Sequence, residues 1–343
     1  MPELKHSNIS IFVPHIGCNH QCTFCNQREI TGQQYCPGAD DVISAAQQAK
    51  RDLGERTKNA EIAFFGGSFT AIKRSYMTEL LEAAYPFVKD GSFYGIRLST
   101  RPDAIDREVL DILRGYGVTS IELGAQSMDD DVLKMNRRGH TAADVEKASA
   151  LIKEYGFSLG LQMMTGLYGS SDEKDRETAR RLARLSPETV RIYPTVVMRG
   201  TELYGLYSRG EYSPQTVEQA VTLCAQLLSF FEEKGINVIR LGLHDSESLR
   251  ESMAAGAFHP ALRELCESRI MLEKTLMLLE SKGIREGTVE FRIAPCSVSR
   301  FTGQKRCNMN ILAGRGTNAV ICQDDRLGKY DIEIKGIAEG NTH

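Results

Sequence analysis

Between Ile9 and Thr195 the chain repeats one pattern: a short apolar run, a polar or glycine-bearing break, then an amphipathic stretch. The apolar runs are residues 10–14, 61–65, 94–99, 119–123, 158–163 and 190–194. Each is rich in β-branched or aromatic residues and ends at Gly, Pro or polar residues, as buried parallel strands do. Between them, residues 41–53, 75–88, 104–114, 141–155 and 173–185 place apolar residues at three- and four-residue spacing, the helical period. Asp40 or Asp41, Ser75, Thr141 and Ser171 are expected helix N-caps, and Gly115, Gly117 and Gly156 are expected left-handed stops. Parallel strands need long crossover connections, so six such units predict an α/β fold with a parallel sheet and outer helices. Six units rather than eight predict a partial (β/α)6 barrel, open on one side.

Beyond Pro194 the rhythm changes. Residues 216–234 and 261–281 read as helices, and 238–243, 288–293, 319–323 and 331–337 as strands. The expected division is a barrel over residues 1–243 and a C-terminal α+β extension over 244–343, suited to covering the barrel's open side. Of the 343 residues 41% are hydrophobic, enough for a large core. The net charge of −3 implies no global attraction to nucleic acid or anionic membrane, though a local basic patch would be compatible with it. No run approaches the roughly 20 apolar residues of a membrane span, and MPELKHSNISIF has no signal-peptide pattern. A cytoplasmic protein without membrane association is expected.

The chemistry is concentrated after the first strand. Cys18, Cys22 and Cys25 stand at Cys-x3-Cys-x2-Cys spacing, with Phe24 before the last. Nine cysteines in all, three within eight positions, point to metal or redox chemistry rather than disulfides in a reducing compartment. Closely spaced loop thiolates suit an iron–sulfur cluster. Three ligands leave one iron open, as catalytic metal sites require. Zinc with His20 as fourth ligand is the alternative. Placement after strand one of a βα series favours a reactive centre, because ligand sites of such barrels lie at the strands' C-terminal ends. Cys36 lies past the motif and reads as a loop thiol.

Other strand ends carry polar groups. Strand two leads into Gly66-Gly67-Ser68, where paired glycines allow a ligand close to the backbone. Arg101 follows strand three and is suited to pairing with a carboxylate; Gln126 and Gln162, at strands four and five, are suited to hydrogen-bonding a ligand. Each has a structural alternative as a salt bridge or buried amide cap. Met163 and Met164 read as core filler.

The cysteine spacing resembles the signature of the radical S-adenosylmethionine (SAM) superfamily. That resemblance implies a [4Fe–4S] cluster held by Cys18, Cys22 and Cys25, with the fourth iron binding SAM. It implies reductive cleavage of SAM to a 5′-deoxyadenosyl radical, with electrons from an external donor of flavodoxin or ferredoxin type. It also implies Phe24 beside the adenine and the Gly66–Gly67–Ser68 turn around the SAM amino group. Ser68 stands where many members carry Glu, which leaves the contact to the backbone.

Residues 17–27, 66–69, 100–103, 116–127, 136–141 (NRRGHT), 164–169 and 192–212 further resemble the radical SAM domain of the Elongator catalytic-subunit family, which modifies wobble uridines of tRNA. The resemblance spans residues 8–243. The roughly 100 residues after 243 show no acyl-CoA-binding pattern of that family's acetyltransferase domain, and its basic N-terminal extension is not seen. The expectation is therefore radical chemistry on tRNA or another RNA, without carboxymethylation. Its rivals are the same chemistry on a tetrapyrrole-like small molecule or a peptide, and a non-enzymatic iron–sulfur scaffold or sensor. Cys296, Cys307 and Cys322 read as ordinary buried thiols, with a second metal site or hydrogen donor as the alternative. Arg292, Arg300, Lys305, Arg306 and Arg315 make that stretch basic, suited to phosphates or to a solvated face. The oligomeric state is not legible.

Overall fold

The computed structural model describes residues 7–13, 21–25 and 35–338. Cys18 and His20 lie outside the described residues. The chain gathers into two units, one taking in the chain to Thr216 together with Phe231–Phe258, the other Val217–Phe230 and the chain from His259.

The strands are β1 (Ser7–Val13), β2 (Ala60–Gly66), β3 (Gly95–Thr100), β4 (Val118–Gln126), β5 (Ser158–Thr165), β6 (Thr189–Pro194), β7 (Val196–Met198), β8 (Asn237–Leu241), β9 (Met253–Gly256), β10 (Gly287–Ile293), β11 (Thr317–Gln323) and β12 (Ile332–Ala338). The helices are α1 (Ala39–Leu53), α2 (Arg74–Lys89), α3 (Arg107–Gly115), α4 (Asp130–Met135), α5 (Ala142–Glu154), α6 (Asp172–Arg184), α7 (Glu202–Ser208), α8 (Val217–Glu233), α9 (Glu247–Ser252), α10 (Leu262–Ser281), α11 (Val298–Thr302) and α12 (Cys307–Gly314).

In the first unit β1 to β6 pair in sequential order, every neighbour parallel, and β8 adds a seventh parallel strand beside β6. The fold is a curled partial barrel, with seven strands rather than six. Strand residues alternate by face. Ile96 and Leu98, Ile121 and Leu123, Leu159 and Leu161, and Val190 and Ile192 are all buried, as are Leu80 and Leu81 of α2 and Val145 and Ile152 of α5. Their neighbours Arg97, Glu122, Gln162 and Arg191 turn the other way and bond one another, which identifies a polar inner face. Gly160 makes room for this arrangement: a Cβ there would lie 2.7 Å from Glu122 Cγ.

Capping departs from the expectation at three helices. Ser75 is inside α2, whose N-cap is Lys73 without a side-chain bond. The cap of α1 is Gly38, whose amide donates to Asp41 at 2.8 Å, so Asp41 acts from inside the first turn. The α3 helix begins later than expected because Asp106 accepts from the Val109 amide at 2.8 Å. Thr141 and Ser171 cap as expected. Gly117 and Gly156 have positive φ, whereas Gly115 is the last residue of α3 and does not. The periodicity missed the β7–β9 ribbon and α7, which are too short to show a period.

The second unit is α+β. Its sheet has order β11-β10-β12, with β10 parallel to β11 and antiparallel to β12. Met271, Leu272 and Leu279 of α10 pack with Val289, Phe291 and Ile293 of β10, Phe301 and Leu312 in one core. Among the described residues no helix is long and apolar enough to cross a membrane.

Candidate active site

A cavity of about 410 Å³ lies along the C-terminal ends of the parallel strands in the first unit. The pleat explains its lining: Ser99 and Arg101, Gly124 and Gln126, Gln162 and Met164, and Arg191 and Tyr193 are pairs two residues apart, each presenting one face of its strand or strand end. Cys22, Phe24 and Cys25 line the same cavity, as do Gly66, Gly67 and Ser68. Every expected site residue inside the described residues is therefore brought together; Cys18 lies outside them.

The cysteine loop is held from beneath. The Cys25 amide donates to Cys22 O at 3.1 Å, closing a turn. Thr23 Oγ1 donates to Asn136 Oδ1 at 3.0 Å, the Thr23 amide to Asn136 O at 3.3 Å, and the Leu203 amide to Thr23 O at 2.8 Å. Asn136, fully buried, donates its Nδ2 to Val132 O and Tyr168 O, both at 2.8 Å. Phe24 and Cys22 pack with Val132, Leu167, Val197, Leu203 and Tyr212. Arg138 Nη1 lies 3.1 Å from Cys22 Sγ. Thus the NRRGHT segment, noticed in the sequence only as matching text, fastens the cysteine loop.

The glycine turn is tight. Gly66 has φ +114°, and a Cβ there would meet Phe12 Cε2 at 2.4 Å and the Val13 carbonyl at 2.7 Å. Gly67 donates to Val13 O at 2.9 Å. Ser68 Oγ accepts from the Arg101 amide at 2.9 Å, so its hydroxyl ties strand ends two and three together. Arg101 forms a two-pronged pair with Asp103 at 2.8 and 3.0 Å, yet its Nη1 is buried without a partner among the described residues. Gln126 adopts φ +65°, and its Oε1 is likewise buried and, among the described residues, unpartnered. Buried polar groups are normally satisfied. Orphaned atoms on two cavity-lining side chains, one donor and one acceptor, are what a polar ligand would complete. With the Gly66–Gly67 turn lining the same cavity, these atoms fit SAM, and the buried Cys22 and half-buried Cys25 thiols are the soft donors an iron–sulfur cluster takes.

Beneath the cavity lies a buried charge network. Arg97 bonds Glu61 at 2.6 Å and Glu122 at 3.0 Å; Arg191 holds Glu122 at 2.6 and 2.9 Å. Gln162 Nε2 donates to Glu122 Oε2 at 3.1 Å, so its amide serves this network. The Arg191 guanidinium sits 5.0 Å from the Phe65 ring centroid. Burial raises the Tyr193 hydroxyl above its usual pKa and keeps it protonated. Burial and then the Arg138 charge lower His140 to about 4, so it is neutral near pH 7. Sequence reasoning did not single out Arg138, Arg191, Tyr193 or His244 as cavity residues; Met164, read as core filler, packs against the core beside Phe24 and also lines the cavity. The period-2 partnership with Gln162 was the signal that could have found Met164.

The C-terminal cysteines do not behave as expected. Cys296 and Cys307 are exposed rather than buried, and Cys322 donates to Glu290 Oε1 at 2.6 Å. Among the described residues no three His, Cys, Asp or Glu side chains are arranged to hold a metal. In the basic stretch Arg300 pairs with buried Glu267, and Arg292 faces Asp324 and Glu333; Lys305, Arg306 and Arg315 are exposed. Burial disfavours the Glu267 carboxylate, but Lys329 and Arg300 more than offset it and bring its pKa to about 2.

Residues 12–182 match the family described as the radical SAM superfamily, and residues 187–272 the one described as the radical SAM C-terminal domain. A tRNA uridine(34) acetyltransferase of Dehalococcoides mccartyi is 29% identical over 239 residues, covering 60% of this chain and 52% of that protein. Elongator complex protein 3 of Danio rerio is 29% identical over 240 residues, 64% of this chain and 43% of that protein. The chain thus spans about half the length of these relatives or less. An N-terminally deleted Elp3 of the archaeon Methanocaldococcus infernus superposes with a TM-score of 0.59 at 23% identity, covering 82% of this chain and 64% of that one, a likeness of fold.

Proposed function

From the premise that the chain belongs to the radical SAM superfamily, whose members are enzymes using a [4Fe–4S] cluster and SAM, we propose that it modifies RNA, with tRNA as substrate, by radical chemistry in the cytoplasm. The observation that carries the reading is one cavity joining the Cys22–Cys25 loop to the glycine turn and the polar strand ends. In this reading Cys18, Cys22 and Cys25 hold the cluster. Phe24, Gly66, Gly67, Ser68, Arg101, Gln126 and Gln162 surround SAM. When bound, the cluster would supply one-electron reduction of SAM, drawing its electron from a flavodoxin- or ferredoxin-type donor.

The chain's own residues prepare that step. Gly66 holds the tight turn that lines the cavity, packed so closely on Phe12 and the Val13 carbonyl that no side chain fits. The orphaned Arg101 Nη1 donor and Gln126 Oε1 acceptor bind polar ligand groups. Apolar Phe12, Phe24, Phe65, Met164 and Met198 exclude water from the reacting space, and so protect a radical from quenching. The tRNA substrate rests on the relatives' uridine-34 chemistry. Acetyl transfer is not carried over, because the similarity covers only 52% of that relative.

The test is anaerobic reconstitution with iron and sulfide, then dithionite and SAM, with chromatography for 5′-deoxyadenosine. We expect the nucleoside from the wild type and none from Cys22→Ala. Added bulk tRNA should stimulate its formation and gain a modified nucleoside. Stimulation by a porphyrinogen or peptide instead would overturn the RNA assignment. A four-iron sample inert with every substrate would overturn the catalytic reading.

A further inference from the structure

A guanidinium remains protonated in protein interiors, and a buried charge requires a partner. Arg138 is only 7% exposed. Its Nη2 donates to Gly124 O at 2.6 Å, and its Nη1 lies in donor position on Cys22 Sγ at 3.1 Å. Among the described residues its Nε has no partner. Among the described residues no carboxylate pairs with it. The adjacent Arg101 bonds the Arg138 carbonyl at 2.5 Å and has its own anion in Asp103. His140 nearby is neutral. The Arg138 charge therefore awaits a negative group, and the group it touches is a cysteine of the motif.

We propose that Arg138 sets the reduction potential of the iron–sulfur cluster through its N–H···S bond to Cys22. The inference rests on the reading that Cys22 is a cluster ligand. Hydrogen bonds to ligand sulfurs and nearby charge are the levers by which a protein tunes such clusters. Reduction moves one electron from the external donor to the cluster, oxidising the donor, and increases the negative charge on the ligand sulfurs. A fixed cation bonded to one of them stabilises the reduced state more than the oxidised one, and the step moves an electron without a proton. Arg138 thereby raises the potential and makes reduction by a weak donor easier. It acts through Cys22 and is a positioning residue. The backbone bonds on either side, from Arg138 N to Leu133 O at 2.9 Å and from Arg101 to the Arg138 carbonyl, fix its aim.

The experiment is a potentiometric titration of the reconstituted cluster, read by electron paramagnetic resonance, with neither SAM nor RNA present. At the wild-type midpoint we expect Arg138→Gln to have a reduced-to-oxidised ratio about tenfold lower, a shift of about 59 mV to more negative potential for a one-electron couple. Arg138→Lys, which keeps a cation, should recover part of the shift. Arg138→Met, which keeps the packing of the stem, carries the same expectation as Arg138→Gln should that variant fail to fold. A neutral variant with full iron content and an unchanged midpoint overturns the proposal. So does a neutral variant that melts like the wild type but takes up no iron, because Arg138 would then serve assembly and not potential. A wild-type protein that assembles no four-iron cluster would instead overturn the reading of Cys22 as a ligand.

Discussion

Gly66 combines a backbone conformation that L side chains avoid with a space that no Cβ can enter, since Phe12 and the Val13 carbonyl lie within 2.7 Å of it. Gly66→Ala should cost about 1–3 kcal/mol of stability through backbone strain. It should also weaken SAM binding at least roughly tenfold, about 1.4 kcal/mol, as the turn shifts. Thermal melts and equilibrium dialysis measure the two effects separately; full SAM affinity in a destabilised variant would remove the turn from the binding site. Gly66 was visible in the sequence because only glycine serves such a place. Gln126 was visible as a polar strand end, but its left-handed φ of 65° was not. A non-glycine residue held there signals local constraint at a site, and nothing in the residue type announces it.

The cysteine loop depends on an element more than 100 positions away. Thr23 and Asn136 exchange a side-chain bond across 113 residues, and Asn136 also satisfies the carbonyls of Val132 and Tyr168. Asn136→Ala leaves buried acceptors without donors, at a cost of about 2 kcal/mol. We expect a lower urea midpoint and reduced iron content after reconstitution; unchanged iron loading would show that the loop forms without this anchor. Helices of nine or more residues and strands of five or more were legible, since burial of one face imposes a period. Their ends were less so. Ser75 had the right chemistry for a cap, but the chain enters α2 earlier, at Lys73.

Across the barrel, Glu61, Arg97 and Glu122 are buried and, with Arg191 at the cavity wall, join β2, β3, β4 and β6 in one network. Thr119 and Ser120 each add a 2.6 Å bond to Glu61. Removing one partner of a buried pair strands the others, typically for 3–5 kcal/mol. Arg97→Met should therefore destabilise the protein by about 3–5 kcal/mol in chemical denaturation. Glu61→Gln combined with Arg97→Met should recover part of the loss, because Thr119 and Ser120 still satisfy an uncharged amide oxygen. A double variant as unstable as the sum of its singles would show that the charges do not act as a unit.

Taken alone, the sequence determined the parallel α/β order, the α+β character of the C-terminal unit, the cysteine motif and the glycine turn. Each of these is written locally, in a burial period, a ligand spacing or a backbone that tolerates no side chain. It misjudged Cys296 and Cys307, because a cysteine's exposure is not encoded in its neighbours in the chain. Tertiary structure alone decided that Arg138 would reach Cys22 across 116 positions, that Asn136 would carry Thr23, and that Arg191, Tyr193 and Met164 would face the cavity. Those relations follow from strand order, which brings the strand ends and the loops that follow them to one end of the sheet. No local pattern specifies which polar residues will meet there.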